Sequence, residues 1–324
     1  MARFPAQGQD LAAPKGAANL GSKPSTAKVR RSNRERPFAV ALLGPALIII
    51  GTLLVLPLLL LVFISLKDMK LGSLTQILSA NLTFNNYVTV LTDRATWSSL
   101  TTSLTYIVGS SAIAFVLGLS TALIINEKFP AQRLFRTLIL LPWAVPGITA
   151  TVAFLWMMQP SFGVINFMLR SLGVIEGDVN WFGNPSLALV AVIFPTVWKT
   201  YPFFTIMLLA ALQTIPRDMY EAASIDGASG WRSFRWITWP SIRRYAIVAL
   251  VFNAMYVFRE FDFIYASTKG GPQGATDTIA IRIYNVAFES FNMASASALG
   301  VLTFLLVALC VYAFVQWQMK SEAR

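Results

Sequence analysis

The stretch Tyr220-Glu221-Ala222-Ala223-Ser224-Ile225-Asp226-Gly227-Ala228, followed by Trp231, Phe234, Ile237 and Pro240, is a polar interruption between long apolar blocks. Residues 217–225 can form a short helix after Pro216, with Arg217 and Glu221 spaced i,i+4. Ala222 and Ala223 keep its backbone approachable, and Gly227 is placed to end it in a left-handed turn. Residues 231–238 repeat aromatic and aliphatic side chains at helical spacing, and Pro240 is expected to terminate that second segment before the next apolar block. Two short helices with exposed small residues suit docking into a groove on a soluble partner. The same pattern suits an amphipathic connector at a membrane surface, anchored by Trp231 and Trp239.

Six segments of the chain are long enough to cross a bilayer: 39–66, 100–125, 138–158, 187–212, 246–264 and 296–316. The composition agrees, with 56% hydrophobic and 13% charged residues and a mean hydropathy of +0.60 over 324 residues. The blocks are continuous, whereas strands of a membrane barrel alternate, so the expected fold is an all-α integral membrane protein. Pro45, Pro57, Pro142, Pro146 and Pro195 lie in or near the spans and read as kinks that a helix bundle tolerates.

The net charge of +11 is unevenly spread, and this argues against a nucleic-acid partner. Residues 1–36 contribute +6 of it and read as a disordered, basic cytoplasmic tail. Lys128, Arg133 and Arg136, then Arg217, Arg232, Arg235, Arg243 and Arg244, mark two further loops on the same side. The opposite loops hold only Lys67, Lys70, Arg94, Arg170, Lys269 and Arg282. Both termini are therefore expected in the cytoplasm, with six spans over 37–319, the polar loop at 213–245 and a short tail at 320–324. The first apolar run starts near Phe38 and is too long for a signal peptide, so it reads as a retained anchor. The tail's cations also make anionic membrane lipid a plausible partner.

The chain has no histidine, which excludes His-based metal sites and Ser-His or Cys-His catalysis. Its single cysteine, Cys310, excludes an internal disulfide.

Glu221-Ala222-Ala223, Asp226-Gly227-Ala228 and Ile237-Thr238-Trp239-Pro240 resemble the EAA loop of binding-protein-dependent ABC transporter permeases. The family pattern is Glu-Ala-Ala, three residues, Gly, nine residues, then Ile-x-Leu-Pro, and this chain departs only at Trp239. Asn86-Tyr87, Gly163-Val164-Ile165-Asn166, Val197-Trp198-Lys199, 210–216 and Thr268-Lys269-Gly270-Gly271-Pro272 are similar to the carbohydrate-uptake branch, although Phe84-Asn85 replaces the usual Gly-Leu. The resemblance covers the chain from about Phe38 onward.

That resemblance implies a six-helix type I ABC importer permease with a cytoplasmic coupling helix, in the inner membrane of a bacterium. Its partners would be a second homologous permease, a cytoplasmic ATPase dimer, a periplasmic solute-binding protein and a carbohydrate substrate. Glu221, Ala222, Ala223, Asp226, Gly227 and Pro240 would form the ATPase-coupling element. No GxxxxGK[ST] sequence is present. ATP and Mg are expected on the partner subunits, with no cofactor on this chain and no enzymatic activity of its own. An importer of another solute and an ion-driven secondary transporter remain alternatives, separated by substrate competition and by ATPase recruitment.

Lys199, Tyr201, Tyr256, Arg259 and Asp262 are candidates for a substrate path or gate. Lys199 stands in an apolar span, where it either pairs, snorkels or lines a wet path. Arg259 and Asp262 are spaced to pair at i,i+3. Phe154, Trp198, Phe203 and Phe204 suit either sugar stacking or bundle packing. Gly270, Gly271 and Pro272 have turn chemistry suited to a loop that touches the binding protein.

Overall fold

A computed structural model of the chain describes residues 35–70, 74–228 and 230–322. The expected tail lies almost wholly outside these residues. The chain divides at Leu56/Pro57 into two units. In the first, α1 (Glu35–Ile50) runs into a π turn over Gly51–Val55.

The second unit holds the rest. It starts with α2 (Leu56–Ser65), α3 (Leu74–Ser79) and α4 (Asn85–Thr92). Then come α5 (Arg94–Asn126), α6 (Gln132–Ala144), α7 (Gly147–Met157), α8 (Val164–Ser171) and α9 (Pro185–Leu212). The polar interruption forms α10 (Arg217–Ile225). It is followed by α11 (Trp231–Ser233), a π turn over Phe234–Thr238, and α12 (Trp239–Phe258). The chain ends through α13 (Asp262–Ser267), α14 (Ile279–Tyr284), a third π turn over Asn285–Glu289, and α15 (Met293–Glu322). Among the described residues the only β pairing is an isolated bridge between Lys67 and Leu82.

Among the described residues, five helices are long and apolar enough to cross a membrane: Leu43–Ser65, Arg94–Asn126, Pro185–Leu212, Trp231–Phe258 and Met293–Lys320. The pair α6 and α7 meets the same length and apolarity only when taken together, and it is bent by 95° at the break between them. The protein is thus an all-α, multi-pass membrane protein. The expected span at 138–158 starts earlier, at Gln132, and its kink is this elbow. Pro146 has no N–H to continue the helix, and it holds Val145 before it in an extended conformation (φ −75°, ψ 129°).

The fifth span is also corrected. The helix does not stop at Pro240: Trp231–Phe258 is one 28-residue helix. The N–H of Trp239 closes the π turn on the carbonyl of Phe234. This wider turn gives room for the ring of Pro240, which lacks a donor and would crowd an ordinary turn. At the other end the helix stops at Phe258, well before residue 264.

The core forms where α9 packs on α5, with α12 against both. More than half of the apolar window of α9, 56%, is buried, against 11% for α15. Small and hydroxyl side chains bring α5 and α9 together, as expected in a bilayer, where apolar burial does not distinguish helix from lipid. Gly118 of α5 faces Phe204 so closely that a Cβ there would lie 2.3 Å from the Phe204 Cβ. The hydroxyls of Tyr106 and Thr196 meet at 2.5 Å, and those of Thr121 and Thr205 at 2.6 Å.

Three motif side chains outside the polar loop, Asn86, Tyr87 and Asn166, turn inward. Asn86 Nδ2 donates to the carbonyls of Ser65 (2.9 Å) and Lys67 (2.8 Å), and the Tyr87 hydroxyl meets Ser65 Oγ at 2.6 Å. Asn166 is fully buried: its Nδ2 donates to the carbonyls of Pro160 and Val179, and its Oδ1 accepts from Trp181 Nε1 at 2.7 Å. Gly163 is required beside it, because a Cβ would lie 2.4 Å from the Gln159 carbonyl oxygen.

Candidate functional site

The polar loop builds a short, well-terminated helix. Pro216 precedes α10 with φ −60° and ψ 137°. At the other end the N–H of Ala228 donates to the Ala223 carbonyl and that of Gly227 to the Ser224 carbonyl, with Gly227 at φ +73°. This paired closure through a left-handed glycine satisfies carbonyls that a helix end would otherwise leave open.

One side chain fixes α10 to the bundle: the Tyr220 hydroxyl meets the Thr238 hydroxyl at 2.9 Å, across to the start of the fifth span. The rest faces outward. Glu221, Ala222, Ser224, Asp226 and Gly227 are exposed, and Ile225 is 86% exposed. Among the described residues the Glu221 carboxylate has neither an ion pair nor a hydrogen bond, so the expected i,i+4 pair with Arg217 is not formed. Pro240 is also exposed, but it lies inside the following helix and not at the end of a separate segment.

The second candidate region is a cavity of about 430 Å³ between α6, α9 and α12. Trp143, Phe203, Phe252 and Tyr256 form its aromatic walls, while Thr200, Asn253 and Arg259 supply polar groups. Asn253 is buried, and its Oδ1 accepts from Ser111 Oγ of α5 at 2.9 Å. Of the five path candidates, this cavity collects only Tyr256 and Arg259. Asn253 and Thr200 were not singled out from sequence, although a lone Asn inside an apolar span is a signal of its own.

Lys199 instead serves the elbow: its ammonium donates to the carbonyl of Val145 at the break between α6 and α7. Tyr201 is half-buried, packs on the bundle core and does not line the cavity. The expected Arg259–Asp262 pair is corrected. Because the helix ends at Phe258, Arg259 folds over the Tyr256 ring, 5.8 Å from its centroid. Asp262 caps no such pair and sits beside Gly147 of the elbow, where an added Cβ would lie 3.1 Å from Asp262 Oδ2. Phe154 packs edge-on against Phe194 and Trp198, and Phe204 against Phe115. These rings serve packing and not the cavity.

In the loop between α13 and α14, Gly270 is buried at φ +92°, and Gly271 and Pro272 are half-buried. The Thr268 and Thr276 hydroxyls meet at 2.6 Å, and Thr276 Oγ1 donates to the Gly271 carbonyl at 2.7 Å. The exposed residues here are Lys269, Gln273 and Gly274, which the glycines and proline hold up. The loop is tied to the start of α5 by Arg282, which pairs with Asp93 and, at 3.4 Å, with Asp277. Partial burial pushes the Asp93 carboxyl up. The Ala95 N–H and the Arg282 guanidinium outweigh that effect and hold it below the usual carboxylate value.

A family model described as binding-protein-dependent transport system inner membrane component matches residues 114–321. The trehalose/maltose transport system permease protein MalF of Thermococcus litoralis is 39% identical over 270 residues, 80% of this chain and 90% of that one. The sulfoquinovosyl glycerol transport system permease protein SmoG of Agrobacterium fabrum is 37% identical over 284 residues, 86% of this chain and 89% of that one. A chain from the crystal structure of a bacterial ABC transporter involved in import of the acidic polysaccharide alginate shares the fold, with a TM-score of 0.76. It is 23% identical, and the match covers 89% of this chain and 96% of that one. This chain belongs to the binding-protein-dependent transport system inner membrane component family, the permease subunits of ABC transporters, and is not itself an enzyme.

Proposed function

We propose that this chain is the transmembrane permease subunit of a bacterial ATP-driven carbohydrate importer, passing a di- or oligosaccharide from a periplasmic binding protein to the cytoplasm. In this reading both termini and α10 are cytoplasmic, in accord with the Lys/Arg bias of the loops. A second, homologous permease completes the pathway, and two ATPase subunits supply ATP and Mg.

The observation that carries the motor half is the outward face of α10. Ala222 and Ala223 allow close approach, Glu221 presents an unpaired carboxylate, and the Gly227 turn fixes where the helix ends. ATP-driven movement of a partner gripping this face would pass through Tyr220 and Thr238 into the fifth span. The cargo half rests on relatives named for trehalose/maltose and sulfoquinovosyl glycerol transport, both sugar-containing solutes. An aromatic cavity with a few polar groups agrees with the way apolar sugar faces and hydroxyls are held. In it, Tyr256 and Arg259 would border the path, and Lys199 would steady the elbow beside it. The exposed Lys269 and Gln273 would meet the binding protein, held up by Gly270, Gly271 and Pro272.

The test is reconstitution with the cognate permease, ATPase and binding protein, measuring ATP hydrolysis against a panel of sugars, amino acids and peptides. Stimulation by a sugar is expected. Stimulation by an amino acid or peptide alone would overturn the cargo, and failure to recruit any ATPase would overturn the coupling role of α10.

A further inference from the structure

A second large cavity, of about 730 Å³, lies on the bundle side of α10 and has no part in the path described above. It opens between the end of α5, the start of α6, the end of α9 and α10 itself. Lys128, Arg136 and Arg217 line it, with Glu127 as the one carboxylate. All three cations are exposed. Among the described residues the ion pairs use Arg170 and Arg282, and none uses these three. Three like charges around one space repel each other, and the space is of ligand size.

Leu123 and Leu212, from the last turns of two membrane spans, place the cavity at the ends of those spans, with Leu212 itself buried in the bundle core. The loop on its rim is held in place by Gln132, whose Nε2 donates to the carbonyls of Ile125 (2.7 Å) and Glu127 (2.9 Å). From these observations we infer that the cavity binds the phosphate headgroup of an anionic phospholipid. A cationic rim at the ends of two membrane spans lies at headgroup level, where anionic lipid supplies the phosphate.

Charge also separates this face from the docking face. The outward side of α10 carries Asp218, Glu221 and Asp226, whereas the cavity is cationic. The cavity is lined by Tyr220 and not by Glu221 or Ala222. A bound headgroup would therefore press on the inner side of the same short helix that the motor grips from outside, making coupling depend on lipid charge. The inference rests on the proposed orientation, which puts these loops at the cytoplasmic leaflet.

The experiment uses the assembled transporter in nanodiscs of phosphatidylcholine with a minority of phosphatidylglycerol, and reads retained lipid by native mass spectrometry. The wild type should retain phosphatidylglycerol in preference to phosphatidylcholine. Lys128→Gln, Arg136→Gln and Arg217→Gln should each lower that retention by about fivefold. Arg133→Gln, on the same helix as Arg136 but off the cavity, should leave it unchanged. Equal loss with Arg133→Gln, or full retention in the triple variant, would overturn the site. So would binding of inorganic phosphate to the same three cations without lipid retention, since the source would then be a free anion. Loss of the ATPase subunit from the variants with lipid retention intact would assign the cavity to a protein contact instead, and would overturn it too. Lipid retention does not depend on which solute moves, so it can fail while the importer reading stands, and the reverse.

Discussion

Two motif-bearing segments of this protein behave in opposite ways. Around Asn166, every polar atom of the motif side chain finds a partner inside the chain: two carbonyls and an indole N–H surround a fully buried amide. On α10 the motif residues leave the chain unanswered. Glu221 is exposed and unpaired among the described residues, and Ala222 covers nothing. Residues that serve their own fold are satisfied within it, since a buried polar group without a partner is costly. Residues that are well placed, held by a defined helix end and yet unused internally point to another molecule. The same distinction separates Asn86, bonded to two carbonyls, from Asp226.

The contrast is open to direct challenge. Asn166→Ala should destabilise the protein by about 3 kcal/mol, because three hydrogen bonds around a buried side chain are lost. Thermal unfolding in detergent would show it, and a near-neutral result would break the inward half of the comparison. Asn86→Ala should cost about 2 kcal/mol by the same reasoning and the same measurement. Gly227→Ala puts a Cβ on a left-handed residue and should cost about 1 kcal/mol, confined to the end of α10. Hydrogen exchange of the 223–228 amides would detect this while leaving the α5 and α9 amides unchanged.

The Asp93–Arg282 tie gives a smaller, pH-dependent effect. Asp93 has a lowered pKa in the folded protein. Its contribution is therefore present above the ordinary carboxylate pKa and is lost as pH falls through the folded value. The thermal midpoint of the wild type should drop more on acidification than that of Asp93→Asn.

Much of the fold could be read from the amino acids because bilayer thickness sets a length that apolar blocks must meet. The ends of the helix at 217–225 and its glycine turn were legible for a similar reason: Pro216 and Gly227 act through their own backbones. The elbow was not legible. Pro142 and Pro146 mark a possible kink, but nothing local distinguishes a kink from a 95° break. At the break the Val145 carbonyl is met by Lys199, 54 residues away in the chain. Pro240 misled for the converse reason, since the π turn that absorbs it has no sequence sign beyond the proline itself. The cavity was only partly legible. Tyr256 and Arg259 drew attention by chemistry, while Asn253 and Thr200 reach it through the way α9 crosses α12. Asp262 and Tyr201 looked alike in sequence but fall elsewhere.

The central claim is that α10 is built for an ATPase partner and not for its own fold. Glu221→Lys should therefore leave thermal stability within about 0.5 kcal/mol of wild type, as for an ordinary surface change. The decisive measurement is ATP hydrolysis by the reconstituted complex of this variant, with and without solute-loaded binding protein. Loss of stimulated hydrolysis from a permease that unfolds at the wild-type temperature is the predicted result. Stimulation equal to wild type, or loss that merely follows unfolding of the permease, would contradict it.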